Sequence, residues 1–348
     1  MSETVAQLSP RSLARAEYEA VRGGGAGLFD LSARGRIEVR GAEAVQFLNG
    51  LVTNDVKTLA PGTWMYAALP NVQGRLLALA RVLRADSADV FLFDTEAATR
   101  ARLYESLARF TLAGDFRVRD LTDETAQLSL QGAQALRIAA DVLGSDAAQV
   151  ARLHGAAITW RGQQLTVLRA THTSEDGYDF ITGADVMAEL RSALCAAGAL
   201  PCGQDALEVL RVEAGVPRFG VDMTETNVVL EAVPDEAVSY TKGCYVGQEI
   251  IARIHWRGHV AKKLTGLLFE HDQTIMPEAG ITIADGKEIG RVTSAVFSPQ
   301  LGRTVGLGYV KFDYLAAGTE VRVGDERQVA RVAELPLVRG SWWAEHAA

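Results

Sequence analysis

Four scarcities in the sequence each close off a class of protein. Cysteine is rare: Cys195, Cys202 and Cys244 are the only three, and no two stand in a CxxC spacing. Neither a disulfide framework nor a cysteine-rich metal centre is expected from them. Long apolar runs are missing, none reaching the roughly eighteen residues of a membrane span, and the opening MSETVAQLSP has neither a basic nor an apolar signal region. A cytoplasmic protein is expected. Positive charge is in deficit, with 35 Lys and Arg against 43 Asp and Glu and a net charge of −8, so no global field draws in nucleic acid. Proline is sparse too, nine residues against 33 aperiodic glycines, which excludes collagen-like and disordered classes and favours many tight turns between short strands. What is present is ordinary globular material: 348 residues, 48% hydrophobic and 22% charged, enough for a substantial core and two or three domains.

Periodicity gives the coarse elements. Ser9-Pro10 reads as an N-cap with proline at the first helical position, and the helix it opens ends at Gly23. Arg36 to Arg40 alternates as a half-buried strand, and a short helix carries Val45, Phe47 and Leu48. The apolar runs 63–69 and 75–83 flank Pro70-Asn71-Val72-Gln73-Gly74, a hairpin signal. A strand at 90–93 and a helix over 96–110 complete an α+β unit. Helices near 133–142, 184–197 and 204–215 and strands near 165–168 and 178–181 make the middle mixed. After Arg257, short apolar runs punctuated by glycine (264–269, 281–283, 290–297, 305–310, 320–323) predict a terminal all-β barrel or sandwich.

Residues 242–253, Lys-Gly-Cys-Tyr-Val-Gly-Gln-Glu-Ile-Ile-Ala-Arg, are the densest chemical signal. Gly243 and Gly247 permit positive φ and close backbone approach. Lys242 and Arg253 are cations that could lower the pKa of Cys244; a small buried hydrophobe is the alternative reading of that thiol. His255 and His259 lie four apart, yet a closed metal site needs two further ligands that no nearby cluster supplies, so no metal is assigned. Arg253, Arg257, Lys262 and Lys263 form a local basic segment, suited to carboxylates, to a phosphate or simply to solvent.

KGCYVGQE with Arg253 resembles the hallmark of the YgfZ-type folate-binding proteins, relatives of the glycine-cleavage T-protein (aminomethyltransferase). Leu130-Gln131-Gly132, Ser174-Glu175-Asp176-Gly177-Tyr178 and the stretch from Leu210 to Gly220 follow in that superfamily's order. The resemblance implies an α+β, three-domain T-protein-like ring with a C-terminal all-β barrel. Its expected division is 1–55 plus 120–235, a folate-binding domain; 56–119 plus 236–262, an α+β domain; and 263–348, the barrel. It also implies tetrahydrofolate or a derivative as cofactor. Glu213 would hold the pterin through two parallel charge-assisted bonds, Tyr178 would lie against its rings, and Lys242 and Arg253 would add cationic contacts. T-proteins carry an aspartate just after an N-x-x-G turn; here that turn is Asn71 to Gly74, and the aligned positions are Ala78 and Leu79. Aminomethyl transfer is therefore not expected, although Asp55 or Asp94 could substitute. The implied function is a folate-binding accessory factor for iron–sulfur cluster assembly or repair, with Cys244 as its functional thiol and iron–sulfur client or assembly proteins as partners. A folate-dependent transferase or demethylase, and an RNA- or protein-binding module using the basic segment, are the alternatives.

Overall fold

Each sheet of this protein has one face rich in aliphatic side chains and one face that carries charge, and that asymmetry decides how the chain packs. The computed structural model describes residues 10–86, 89–112 and 114–346. Six strands pair in the order Leu200–Cys202, Gly27–Asp30, Ala126–Gln131, Gly177–Thr182, Gln163–Arg169, Gly155–Trp160. Side chains of a strand alternate between faces, so Leu128, Leu130, Tyr178 and Phe180 share one face, where the helices Ala135–Leu143 and Ala184–Ala196 bury them with Ile138, Met187 and Leu190.

Five further strands pair in the order Thr63–Pro70, Leu76–Arg84, Val90–Thr95, Gly35–Arg40, Arg117–Asp120. Val39, Ala78, Ala80, Val82, Phe91 and Phe93 face the helices Ala44–Leu51 and Arg100–Ala108 through Leu48, Leu103 and Leu107. The uncovered faces of the two sheets then meet each other. Trp64 and Leu83 of the second sheet pack on Leu168, Ala170 and Ile181 of the first, and Trp64 Nε1 donates to the Arg169 carbonyl at 3.2 Å.

The C-terminal strands close into a six-stranded barrel, Lys262–Phe269, Arg303–Lys311, Glu288–Ser298, Gly280–Thr282, Glu320–Val323, Gln328–Ala333. Barrel, rather than sandwich, is the outcome. Buried Asp222 ties it to the helix Gln204–Glu213: the carboxylate accepts from Arg211 at 2.5 Å, Thr293 at 2.6 Å and Ser294 at 2.7 Å. Among the described residues no helix is long and apolar enough to cross a membrane.

The α+β class and the terminal barrel agree with the sequence, and the differences are local. Ser9, read as a helix cap, lies outside the described residues. The helix expected from 96 starts at Arg100 after a 3₁₀ turn at Ala97–Thr99. Gly35–Arg40 pairs with Val90–Thr95 and Arg117–Asp120, so the chain crosses to the five-stranded sheet ahead of the boundary expected at residue 55. The segment after Gly247 is a helix, Gln248–Arg257, between two glycines.

That helix starts where two signature segments interlock. Gly74 closes the hairpin turn at φ +70°, and Gly247 packs on the turn at φ +77°, where a Cβ would lie 2.4 Å from the Asn71 carbonyl oxygen. Gly243 differs, since a Cβ there would meet open space; close approach requires glycine at 247 alone. Gly247→Ala is expected to lower stability by at least ~1 kcal/mol, because it adds both the left-handed backbone penalty and a backbone clash. Gly243→Ala should be close to neutral, and thermal unfolding of the pair measures the contrast.

Candidate functional site

Two buried polar centres and one exposed loop hold the unusual chemistry. The first lies between the sheets. Register places Tyr66, Arg81 and Asp94 directly across from one another on adjacent strands, so all three share the face turned to the six-stranded sheet. From that sheet Asp179 points back, one residue along from the core-facing Tyr178. Arg81 Nε donates to Asp94 Oδ2 at 2.9 Å, and Arg81 Nη2 bonds both Asp94 and Asp179. Arg34 Nε reaches the other Asp94 oxygen at 2.6 Å. His172 Nε2 lies 3.2 and 3.0 Å from the two oxygens of Asp179, its loop pinned by Gln131 Oε1, which accepts from the His172 N–H at 3.0 Å. Gln127 Nε2 approaches the same Asp94 and Asp179 oxygens at 3.5 and 3.4 Å.

Arg81, Asp94, Gln127 and Asp179 are all at most 2% exposed. Burial on its own would raise the Asp179 carboxyl, but the charges of Arg81 and His172 outweigh it and hold the group well below the usual carboxylate range. Asp94 is likewise held low, burial being overcome by Arg34 and Arg81. Two polar atoms here are left over. Arg81 Nη1 and Gln127 Oε1 are sealed from solvent and carry no hydrogen bond, which is costly unless a partner binds.

The second centre surrounds Glu213, which is fully buried. Its carboxylate accepts from Tyr18 at 2.9 and 3.1 Å, from Arg22 at 3.1 and 3.0 Å, and from Ser298 of the barrel at 2.5 Å. Arg22 also binds Glu175 at 2.8 Å. Burial, then the neighbouring carboxylate, pushes the Tyr18 phenol far up, so it stays a donor.

The third feature is the loop containing Cys244, the exposed cysteine of the three. Lys242 anchors one end: its Nζ donates to the Val52 and Asn54 carbonyls at 2.8 and 2.7 Å and sits 5.0 Å from the centre of the Tyr245 ring. With no carboxylate bonded to it, burial brings this ammonium down to about 8. Val246 N–H donates to the Gly50 carbonyl at 3.1 Å and anchors the other end.

With this geometry in hand, comparison with known proteins gives a family. Residues 7–242 match the GCVT N-terminal domain, and residues 262–338 match the glycine cleavage T-protein C-terminal barrel domain. The chain belongs to the glycine-cleavage T-protein family. It is 34% identical to an aminomethyltransferase of Geobacillus kaustophilus, covering 93% of this chain and 90% of that protein. It is 35% identical to one of Rubrobacter xylanophilus, covering 93% and 86%. The crystal structure of the glycine cleavage system aminomethyltransferase T from Bartonella henselae superposes with a TM-score of 0.85 at 26% identity, covering 94% of this chain and 90% of that one.

Against the family background, the residues singled out from sequence fall in different places. Leu79 lies on the same strand face as Arg81, beside the inter-sheet cluster, while Ala78 points into the helix-covered core. Leu79 itself packs with the apolar cluster that includes Leu76, Val212 and Met223. Asp94, considered as a substitute, is in that cluster and already bonded to two arginines; Asp55 is not in it. Glu213 is not free to grip a ligand, because three protein side chains saturate its oxygens. Tyr178 is fully buried on the helix-covered face, its ring 6.4 Å from Phe180 and its hydroxyl without a partner, and burial pushes that hydroxyl up to about 12. Lys242 is bound to backbone carbonyls, and Arg253 is exposed on the helix Gln248–Arg257.

Nor do the two histidines share a site: His255 stacks on Tyr240 at 3.6 Å and His259 on Phe312 at 3.8 Å. Lys263 pairs with Asp235 at 3.0 Å, which weakens the basic segment as a unit. Sequence reasoning missed Arg81, Gln127, His172 and Asp179. Isolated charges in apolar strand runs were the available signal for Arg81 and Asp179, since such residues are seldom buried without a partner.

Removing one member of the inter-sheet cluster leaves a buried charge underpaired. Asp179→Asn is expected to cost about 3–5 kcal/mol. Because the folded-state pKa of Asp179 is depressed, its stabilisation is complete above the unfolded value near ~4 and is lost as pH falls below it. Urea unfolding from pH 7 down to acid should show a steeper loss in the wild type than in Asp179→Asn.

Proposed function

We propose that this protein binds tetrahydrofolate between the two sheets and does not carry out aminomethyl transfer by the route its relatives' name implies. One observation carries the reading. Where the resemblance expects the family's aspartate the chain carries Ala78 and Leu79, and the inter-sheet cluster that begins two residues further along the strand holds two buried polar atoms with no partner, Arg81 Nη1 and Gln127 Oε1. A pterin carries both donors and acceptors on its rim, and the half-buried Leu79 and Tyr66 would give such a ring apolar surface. A one-carbon unit brought there meets no acid in the Leu79 position to orient or protonate it.

The iron–sulfur role belongs to the same proposal. Its support is the YgfZ-type signature together with the exposed Cys244, held on a loop anchored at both ends. In this reading the folate site and the thiol loop serve as an accessory device for iron–sulfur proteins.

Calorimetric titration with tetrahydrofolate should give saturable binding by the wild type. Methylene-tetrahydrofolate formation from an aminomethyl donor should run ~10²–10⁴-fold slower than in a relative that has the aspartate. Turnover at the relative's rate would remove the non-catalytic reading. For the thiol, a strain lacking the gene should regain iron–sulfur enzyme activities with the wild type and not with Cys244→Ala. Complete rescue by that variant would remove the iron–sulfur role.

A further inference from the structure

Near its C-terminus the chain lays a strap over a polar loop. Val338 is buried, its N–H donating to the Glu213 carbonyl at 2.9 Å, whereas from Arg339 to Ala344 no residue is buried. What the strap covers is hydrophilic: Thr173, Ser174 and Glu175 are only 0, 2 and 9% exposed. Its ties to that loop are hydrogen bonds. Gly340 N–H donates to Ser174 Oγ at 3.2 Å, and Ser341 N–H and hydroxyl donate to Glu175 Oε2 at 2.8 and 2.6 Å. Trp342 N–H donates to the Ser174 carbonyl at 3.1 Å, and Asp176 N–H returns a bond to Ser341 Oγ at 2.9 Å. From the other side Arg152 donates to the Ser341 carbonyl at 2.9 Å, and its guanidinium lies 5.0 Å from the centre of the Trp342 ring.

The loop beneath is held in a conformation it would not keep alone. Ser174 has φ +70°, left-handed backbone that a serine seldom adopts and that persists where neighbours impose it. Two of the strap's bonds end on that residue. Inward, the same loop braces the inter-sheet cluster: Gln131 Oε1 accepts from the His172 N–H at 3.0 Å and from the Thr173 hydroxyl at 3.1 Å. The His172 ring then meets Asp179 from the edge of the cluster, its side chain 13% exposed against 0% for the aspartate. One short segment therefore touches the strap on its outer side and the cluster on its inner side.

We propose that residues 339–343 form a releasable latch on the centre between the sheets. Seated, it clamps Ser174 in the left-handed conformation and His172 on Asp179. Released, it lets the loop 172–176 relax and His172 leave the edge of the cluster, opening a way to groups that the closed chain seals. Release costs little, because the amide, hydroxyl and carboxylate groups exchange strap bonds for water and no buried apolar side chain of the strap has to be withdrawn. The latch needs no ligand, so it stands or falls apart from the folate reading.

Native-state amide exchange on the full chain tests it. In the wild type the amides of Ser341, Trp342, Asp176 and His172 should exchange through one common opening, about 100-fold or more faster than those of the barrel strand Arg303–Lys311. Gly340→Ala, whose Cβ would lie 2.4 Å from Glu175 Oε1 and 2.5 Å from the Ser174 carbonyl oxygen, should speed all four about tenfold and leave the barrel strand unchanged. A chain ended after Val338 is the second variant and should show the same acceleration at Asp176 and His172, with the barrel strand reporting that it is folded. Wild-type strap amides as slow as the barrel strand overturn the latch, since the strap then opens only with the whole fold. Fast strap amides with an unaccelerated His172 in both variants overturn it too, because the strap then moves without the cluster.

Discussion

Arg81 is the point at which two separately covered sheets become one structure. Each sheet buries its aliphatic face under its own helices, which leaves two faces with charged residues in need of partners. A guanidinium is suited to the task because its planar fork can bond two carboxylates at once, and here those carboxylates come from different sheets, Asp94 beside it and Asp179 opposite. Desolvating such ions is expensive, and the cluster persists because opposite charges and hydrogen bonds surround each member. Arg34 and His172 supply the outer bonds, and the apolar seam of Trp64, Leu83, Leu168 and Ile181 keeps water from the flank.

The same solution recurs around Glu213 with a different purpose. There one carboxylate joins the first helix, through Tyr18 and Arg22, to the barrel, through Ser298. Asp222 repeats it between Arg211 and the barrel residues Thr293 and Ser294. Buried acids thus act as the pins between units. Of these three pins the inter-sheet one alone retains unmet hydrogen-bonding capacity on its arginine.

Much of the fold was legible because local pattern determines it. The hairpin about Asn71 to Gly74, the amphipathic helices and the glycine-punctuated barrel strands all follow from spacing and turn chemistry. The site was less legible, for a geometric reason. Along Gly177–Thr182 the side chains alternate, so the motif's most conspicuous member, Tyr178, enters the core while its neighbour Asp179 faces the opposite sheet. Glu213 drew attention through the resemblance carried by the stretch from Leu210 to Gly220, but its partners Tyr18, Arg22 and Ser298 are remote in sequence, and no local pattern reveals that they consume it. Asp94 was named from the sequence as a possible substitute, and Arg81 and Asp179 could have been flagged as single charges in apolar strands. Their pairing across sheets depends on tertiary packing, which spacing does not encode.

The seating of Gly247 on the Asn71 carbonyl has a mechanical corollary. Lys242 is moored on one side of Cys244 and Val246 and Gly247 on the other, so the sulfur rides on a leash of only a few residues, fixed at both ends to the body of the molecule. Its position is thereby tied to the tip of a hairpin far away in the chain: a shift in the turn at Asn71 moves the mooring and the thiol with it. A chain that keeps its reactive-looking group on so short a leash has already lost most of the freedom that any encounter at that sulfur would otherwise have to remove.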